Sequence, residues 1–322
     1  MGTTDMVTAL VSPVNKLLDI VSSMFGKAYE PKHMRKIADA KAYEIKVIGE
    51  AIRANSDLPI AYDKSQITID ATNFEELVKR AGNRLAIQEI VRQQNIENVV
   101  DYAYSDLKGQ APVDSVKPDD DWLLRFFSSV EDISNDEMQM LWGRLLAGEI
   151  KKPHSYSLRT LGTLKNLSSV EALDFSRACR VAIRQNKDIF IVNDETTLRA
   201  HGLLYSNMLS LQECGLLNAD SLLHFTNDLA VSGVVIYSHK KRIIIVKNQS
   251  DKPTSISLQV FTMTKAATEL ARIVTPDESE QDAIINATYI KGHAPSCSVS
   301  VHLIIEATDD SSVRYQTEGK SI

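Results

Sequence analysis

The chain has 322 residues, 43% of them hydrophobic and 24% charged, a balance that excludes wholesale disorder and allows one large core or, as the better expectation, two ordinary ones. A formal net charge of -6 gives no overall attraction to nucleic acid or anionic lipid. The three cysteines, Cys179, Cys214 and Cys297, are widely spaced and form neither a disulfide framework nor a CxxC pair, which points to a reducing, cytoplasmic setting.

No basic region followed by an apolar run opens the sequence, so no secretion signal is expected. The most apolar early stretch, residues 6–25, is interrupted by Pro13, Asn15, Lys16 and Asp19. It falls short of the roughly 20 apolar residues of a bilayer span, so no transmembrane segment is expected. Within it Val14, Leu17, Leu18, Val21, Met24 and Phe25 recur at helical spacing behind Pro13, giving a one-faced helix. Its polar side holds few basic residues, which favours packing on a core or on a second copy over lying on a membrane. Val14, Leu17, Leu18, Val21 and Phe25 are therefore the candidate contact residues for self-association.

Residues 32–54 predict a second helix, with Met34, Ile37, Ala38, Ile45, Ile48 and Ile52 along one side. Thr72 and Glu75 form a T-x-x-E box that opens a long helix to about Leu107. Its expected buried stripe is Phe74, Leu77, Val78, Ala81, Leu85, Ile90 and Val91, continued by Ile96, Val99 and Val100. Residues 108–118, with Gly109, Pro112 and Pro118, read as a linker.

The acidic run Asp119, Asp120 and Asp121 suits the positive end of a short helix over residues 122–130. Ser134 with Glu137 predicts a capped helix carrying Met138, Leu141, Trp142, Leu145 and Leu146, and Pro153 ends it. Residues 157–166 read as helical, and Ser168 with Glu171 caps a helix over 169–185.

The last third changes character. Residues 189–192 predict a strand, and 196–214 a helix stopped by Gly215. Residues 234–237 and 243–246 predict a hairpin around Ser238, His239, Lys240 and Lys241. A strand over 255–260, a helix from Thr264 to about Val274 and a helix over 278–291 follow. Cys297, Val299, Val301, Leu303 and Ile305 then alternate with polar residues, as in a strand with one buried face. The fold class is mainly α, α+β overall. It comprises a helical domain over 1–185, a smaller mixed α/β, winged-helix-like domain over 186–308, and a polar tail over 309–322.

The chemistry-bearing residues read as structural. Three adjacent aspartates point in different directions and rarely converge on a metal. Asp121, Arg125, Arg144, Glu149 and Arg159 form a candidate polar network, read as ion pairing between helices. His154, Ser155 and Ser157 fall in a tight connection with no nucleophile elbow around it. His293, Cys297 and His302 have the wrong strand parity for a metal site. No GxxxxGK[ST] or GxGxxG is present, so no catalytic residue, metal or cofactor is assigned. As a nucleic-acid reader, the 196–214 helix and the hairpin would offer Arg199, Lys240, Lys241 and Arg242.

The segment DDDWLLRFFSSVEDISNDEMQMLWGRLLAGEI, followed by KKPHSYSLRTLGTLKNLSSVEALDF, resembles an uncharacterised bacterial domain-of-unknown-function family, number twenty-eight-oh-six, with the likeness reaching back to RQQNIENVV. The shorter run of LLAGE, a proline and SLRTL also resembles the abortive-infection alpha domain of bacterial phage-defence proteins. The resemblance implies a bacterial or prophage origin and a defence role, with no catalytic residues to carry over. The reading is a non-enzymatic interaction or regulatory protein that self-associates and meets a protein partner. The alternatives are a nucleic-acid-binding regulator and an enzyme of unrecognised type.

Overall fold

A computed structural model describes residues 10–25, 71–218, 223–274, 279–309 and 312–322. The helix expected over 32–54 lies outside them, as do the side chains of the Thr72–Glu75 box. The contacts divide the chain into two units, Met1–Ser155 and Tyr156–Ile322.

Unit 1 is built from α1 (Pro13–Phe25), α2 (Ala71–Leu107), α3 (Asp120–Val130) and α4 (Asp136–Lys151). A two-residue pair joins β1 (Leu10–Val11) to β2 (Val113–Asp114) antiparallel. Both α3 and α4 start where a side chain closes the first turn. Asp119 Oδ1 accepts from the Trp122 amide at 3.0 Å, so the acidic run serves as a cap. For α4 the cap is Asn135, one residue beyond the expected Ser134, and its Oδ1 accepts from the Met138 amide.

The C-terminal half of α2 packs on α4, with Ile96, Val99, Val100, Ala103 and Leu107 buried against Trp142, Leu145, Leu146 and Ile150. The crossing is close at Gly143, where a Cβ would collide with the Cβ of Tyr102 and meet the Val99 carbonyl at 3.0 Å. Phe126 stacks on Trp122 at 5.2 Å and meets Trp142 edge-on at 5.4 Å, a geometry that aromatic quadrupoles favour.

Unit 2 opens with α5 (Leu158–Lys165) and α6 (Ser169–Val181), then β3 (Ile183–Gln185), β4 (Asp188–Val192), α7 (Glu195–Ala200) and α8 (Tyr205–Glu213). There follow β5 (Leu217–Asn218), β6 (His224–Leu229), β7 (Val234–His239), β8 (Arg242–Asn248) and β9 (Thr254–Met263). It closes with α9 (Lys265–Leu270), α10 (Glu280–His293), β10 (Cys297–Asp309), β11 (Ser312–Tyr315) and β12 (Lys320–Ser321). The strands make one ten-stranded antiparallel sheet ordered β11-β10-β8-β7-β3-β4-β9-β5, with β12 also on β10 and β6 also on β9.

The sheet curls back on itself. Asn227 of β6 accepts from Gln185 of β3 at 2.7 Å and donates to the Tyr237 hydroxyl of β7 at 3.0 Å. Inside the curl, Phe190, Tyr237, Ile244, Val246, Ile256, Leu258 and Val260 enclose the small face Ala283 and Ala287 of α10, together with Ile290. The fold is α+β, with helices and strands both prominent.

Several boundaries differ from the sequence expectation, each for a local reason. The helix expected to reach Gln185 stops at Val181, because residues 183–185 pair with β4 around Asn186, which takes a positive φ of 55°. The helix expected over 196–214 is two helices, broken at Gly202 with φ 73°. The expected polar tail pairs instead with β10 through β11 and β12. The hairpin forms as expected, turning at Lys240 with φ 55°. However, β3 and β10 flank it within the sheet, where the wing of a winged helix would be free.

Candidate functional site

Among the described residues of unit 1, the N-terminal half of α2 is an exposed stretch. From Glu76 to Val91 no side chain is buried. Leu77, Val78, Leu85, Ile87 and Val91 are 50, 44, 58, 63 and 44% exposed. Among the described residues, the polar ties to α4 and to the connection between α3 and α4 begin at Arg92: Arg92 to Asp132, Asn95 to the Glu131 carbonyl, Asn98 to Gln139 and Tyr102 to Asp136. The expected buried stripe is thus buried in its second half and bare among the described residues in its first. Clustered exposed apolar side chains on one helix are the usual mark of a protein-interaction surface.

The stripe proposed for contact on α1 faces the other way. Leu17, Ile20 and Val21 are buried in the core of unit 1, and Val14 and Leu18 are half-buried. Phe25 is 39% exposed with its ring edge-on to Phe127 at 5.2 Å. That stripe is internal because Lys16, itself buried, turns inward. Its Nζ donates to the carbonyls of Asp114 and Ile150 at 2.9 and 2.8 Å, holding α1 to β2 and to the last turn of α4. Burial pushes the Lys16 amine below its usual range, against the opposing pull of Asp114 and Glu149.

The five residues of the expected polar network come from several elements. Asp121 and Arg125 are exposed on α3, Arg144 is half-buried and Arg159 is exposed on α5. Glu149 is buried, and its two oxygens accept from the amides of His154 and Ser155 at 2.6 and 3.0 Å. It closes the turn in which His154 takes a φ of 64°. The expected basic reader is largely paired with acids. Arg199 bonds Glu195 at 2.5 Å, and Arg242 lies 3.6 Å from Glu280. Lys240 and Lys241 sit at the hairpin turn. The His293 ring lies tilted against Tyr289, while the His302 ring is held by the Gln316 carbonyl and Ser300. Among the described residues no group of three His, Cys, Asp or Glu is placed to hold a metal ion, and no helix is long and apolar enough to cross a membrane.

One cluster escaped the sequence reading. In unit 2 the ends of α6 and β7, the C-cap of α7 and one face of α10 bring together Arg180, His201, His239, Asp282 and Asn286. His201 Nδ1 lies 2.8 Å from Asp282 Oδ1, and Nε2 lies 3.0 Å from Asn286 Oδ1. Arg180 Nη2 donates to the His201 carbonyl at 2.7 Å, and its Nε is 3.3 Å from Asp282 Oδ2, close enough for an ion pair though poorly aligned as a hydrogen bond. His239 is 2% exposed and its Nε2 has no hydrogen-bond partner. Burial pushes its ring down to about 4, with Asp282 partly opposing and the charges of His201 and Lys240 adding to the fall. These positions are scattered over a hundred residues of sequence, so no spacing announces them. Beside the cluster, α7 and α10 wall an open groove of about 440 Å³, lined in part by Thr197, Ile284, Ile285, Thr288, Tyr289 and His293.

An α+β chain of two units, with exposed apolar side chains along one helix among the described residues and a buried histidine–carboxylate cluster, is the class that this geometry defines. By sequence the chain belongs to the family described as Protein of unknown function (DUF2806), whose model matches residues 79–283. No curated protein and no solved structure matches the chain.

Proposed function

We propose that this chain is a non-enzymatic interaction protein that self-associates, and meets its protein partner, through the exposed half of α2. The observation that carries this reading is the run Leu77, Val78, Leu85, Ile87 and Val91, each at least 44% exposed on a single helix. Burying such side chains against a partner contributes about 25 cal/mol per Å² of apolar surface. Lys79, Arg80 and Arg84 on the same stretch are exposed as well, and supply a polar rim of the kind that protein interfaces carry. The enzyme reading is weaker, because Asp121 and Arg125 are exposed on one short helix, and His201, Asp282 and Asn286 of the polar cluster are buried.

The setting proposed is the bacterial cytoplasm, in phage defence or a prophage function, supported by the LLAGE and SLRTL resemblance. The test pairs a biophysical and a cellular readout. Leu77→Glu with Leu85→Glu is expected to abolish assembly in solution while leaving helical content unchanged. In cells challenged with phage, the same variant is expected to restore plaque numbers that the wild-type chain lowers. Equal plating efficiency with and without the wild-type chain, across a panel of phages, would remove the defence role while leaving the interaction reading to the solution experiment.

The nucleic-acid reading keeps one supporting observation, the lysine pair at the β7–β8 turn. It requires salt-dependent retention of DNA or RNA that weakens when Lys240 and Lys241 become alanine. Absence of retention at low salt removes it.

A further inference from the structure

His201 raises a question of proton counting. The residue is 4% exposed, and both ring nitrogens lie at hydrogen-bond distance from an oxygen. The partner of Nδ1 is the Asp282 carboxylate, which when ionised can only accept. The partner of Nε2 is Asn286 Oδ1, and the orientation of that amide is fixed independently. Asn286 Nδ2 donates to the Val181 carbonyl at 2.9 Å, so its oxygen, which also only accepts, is the atom turned to the ring. A neutral imidazole has one N–H, and either tautomer would set a nitrogen lone pair against an oxygen lone pair where water does not reach.

We propose that His201 is a buried imidazolium whose two ring protons clamp the C-terminal end of α7 to α10, with the clamp loosening when one proton leaves. The groups facing it fit that assignment. Asp282, from α10, is the counter-charge, and its second oxygen lies beside the Arg180 guanidinium of α6. One carboxylate thus bridges two cations, and Arg180 also holds the His201 carbonyl. From the hairpin come His239 and Lys240. His239 stays neutral, as its depressed titration requires, so the cluster holds one charged and one uncharged histidine.

The clamp bears on the groove beside it. His201 is the C-cap of α7, and α7 and α10 supply opposite walls of that groove. The proton on His201 therefore sets how firmly one wall is held to the other.

The test is the tautomeric state of the ring in the full-length, nitrogen-15-labelled chain at about pH 7.5, where an exposed histidine, with its reference value of about 6.5, is mostly neutral. His201→Gln identifies the resonances by their loss. Both ring nitrogens are expected at the shift of a protonated nitrogen, with two slowly exchanging ring N–H signals. Asp282→Asn is expected to move one nitrogen to the unprotonated shift. A wild-type spectrum with one unprotonated His201 nitrogen at that pH overturns the proposal, as does an Asp282→Asn spectrum that leaves both nitrogens protonated. Should Asp282→Asn fail to fold, the wild-type spectrum decides alone.

Discussion

The two units bury polar side chains in different ways. In unit 1 those side chains mostly serve the backbone. Lys16 satisfies two carbonyls, Glu149 two amides, and Asn95 and Gln139 bond each other and the carbonyls of Glu131 and Ile133. In unit 2 one group of buried side chains, His201, Asp282 and Asn286, meets side chain to side chain, with the Arg180 guanidinium beside Asp282. A side chain that closes a helix end stabilises by a roughly constant amount across neutral pH. A network of titratable groups makes stability a function of protonation. The apolar surfaces differ as well. The curled sheet of unit 2 encloses its own core, whereas unit 1 leaves half of α2 bare among the described residues.

The comparison is broken most severely in the core of unit 1. Trp142 is 0% exposed and anchors the aromatic cluster. Trp142→Ala is expected to cost about 3–5 kcal/mol, read as a lowered denaturant midpoint. Next in size is the acid response of unit 2. His239 titrates at about 4 in the fold and near 6.5 when unfolded, so its stabilising contribution is present above about pH 6.5 and declines as pH falls toward 4. The loss is on the order of 2–3 kcal/mol, and His239→Leu is expected to flatten that part of the stability profile.

A smaller effect is expected at Glu149, where Glu149→Ala leaves the His154 and Ser155 amides without their acceptor. The cost is about 1–3 kcal/mol, measured by chemical denaturation. It should vary little between pH 6 and 8, in contrast to unit 2. The smallest effect is expected on the bare face. Leu85→Glu should change stability by no more than about 0.5 kcal/mol if nothing within unit 1 covers it. A large loss there would show that the face is core.

Much of this architecture was legible because capping and turn chemistry are local. Ser168 with Glu171 forms a full capping box, Ser157 and Thr264 cap α5 and α9, and the β7–β8 hairpin turns where the sequence places it. Other elements had no local signal. The strand β6, HFTNDL, lacks the alternating apolar pattern and owes its place to six pairings with β9. Periodicity showed that Leu77, Val78, Leu85 and Val91 share a helix side with the buried residues further on. It could not show that, among the described residues, the ties to neighbouring elements reach only as far back as Arg92. The His201 cluster depends on where the curled sheet and α10 bring four distant segments together, which is a property of the fold alone.

The contact proposed between copies of this chain runs through the exposed half of α2. Light scattering coupled to size exclusion, run on the full chain and on the Leu77→Glu, Leu85→Glu variant, tests it most directly. The account predicts a discrete assembly for the wild type and a single protomer for the variant, with matching circular dichroism. A wild-type chain that elutes as a monomer at every concentration, or a variant that assembles as the wild type does, would contradict it.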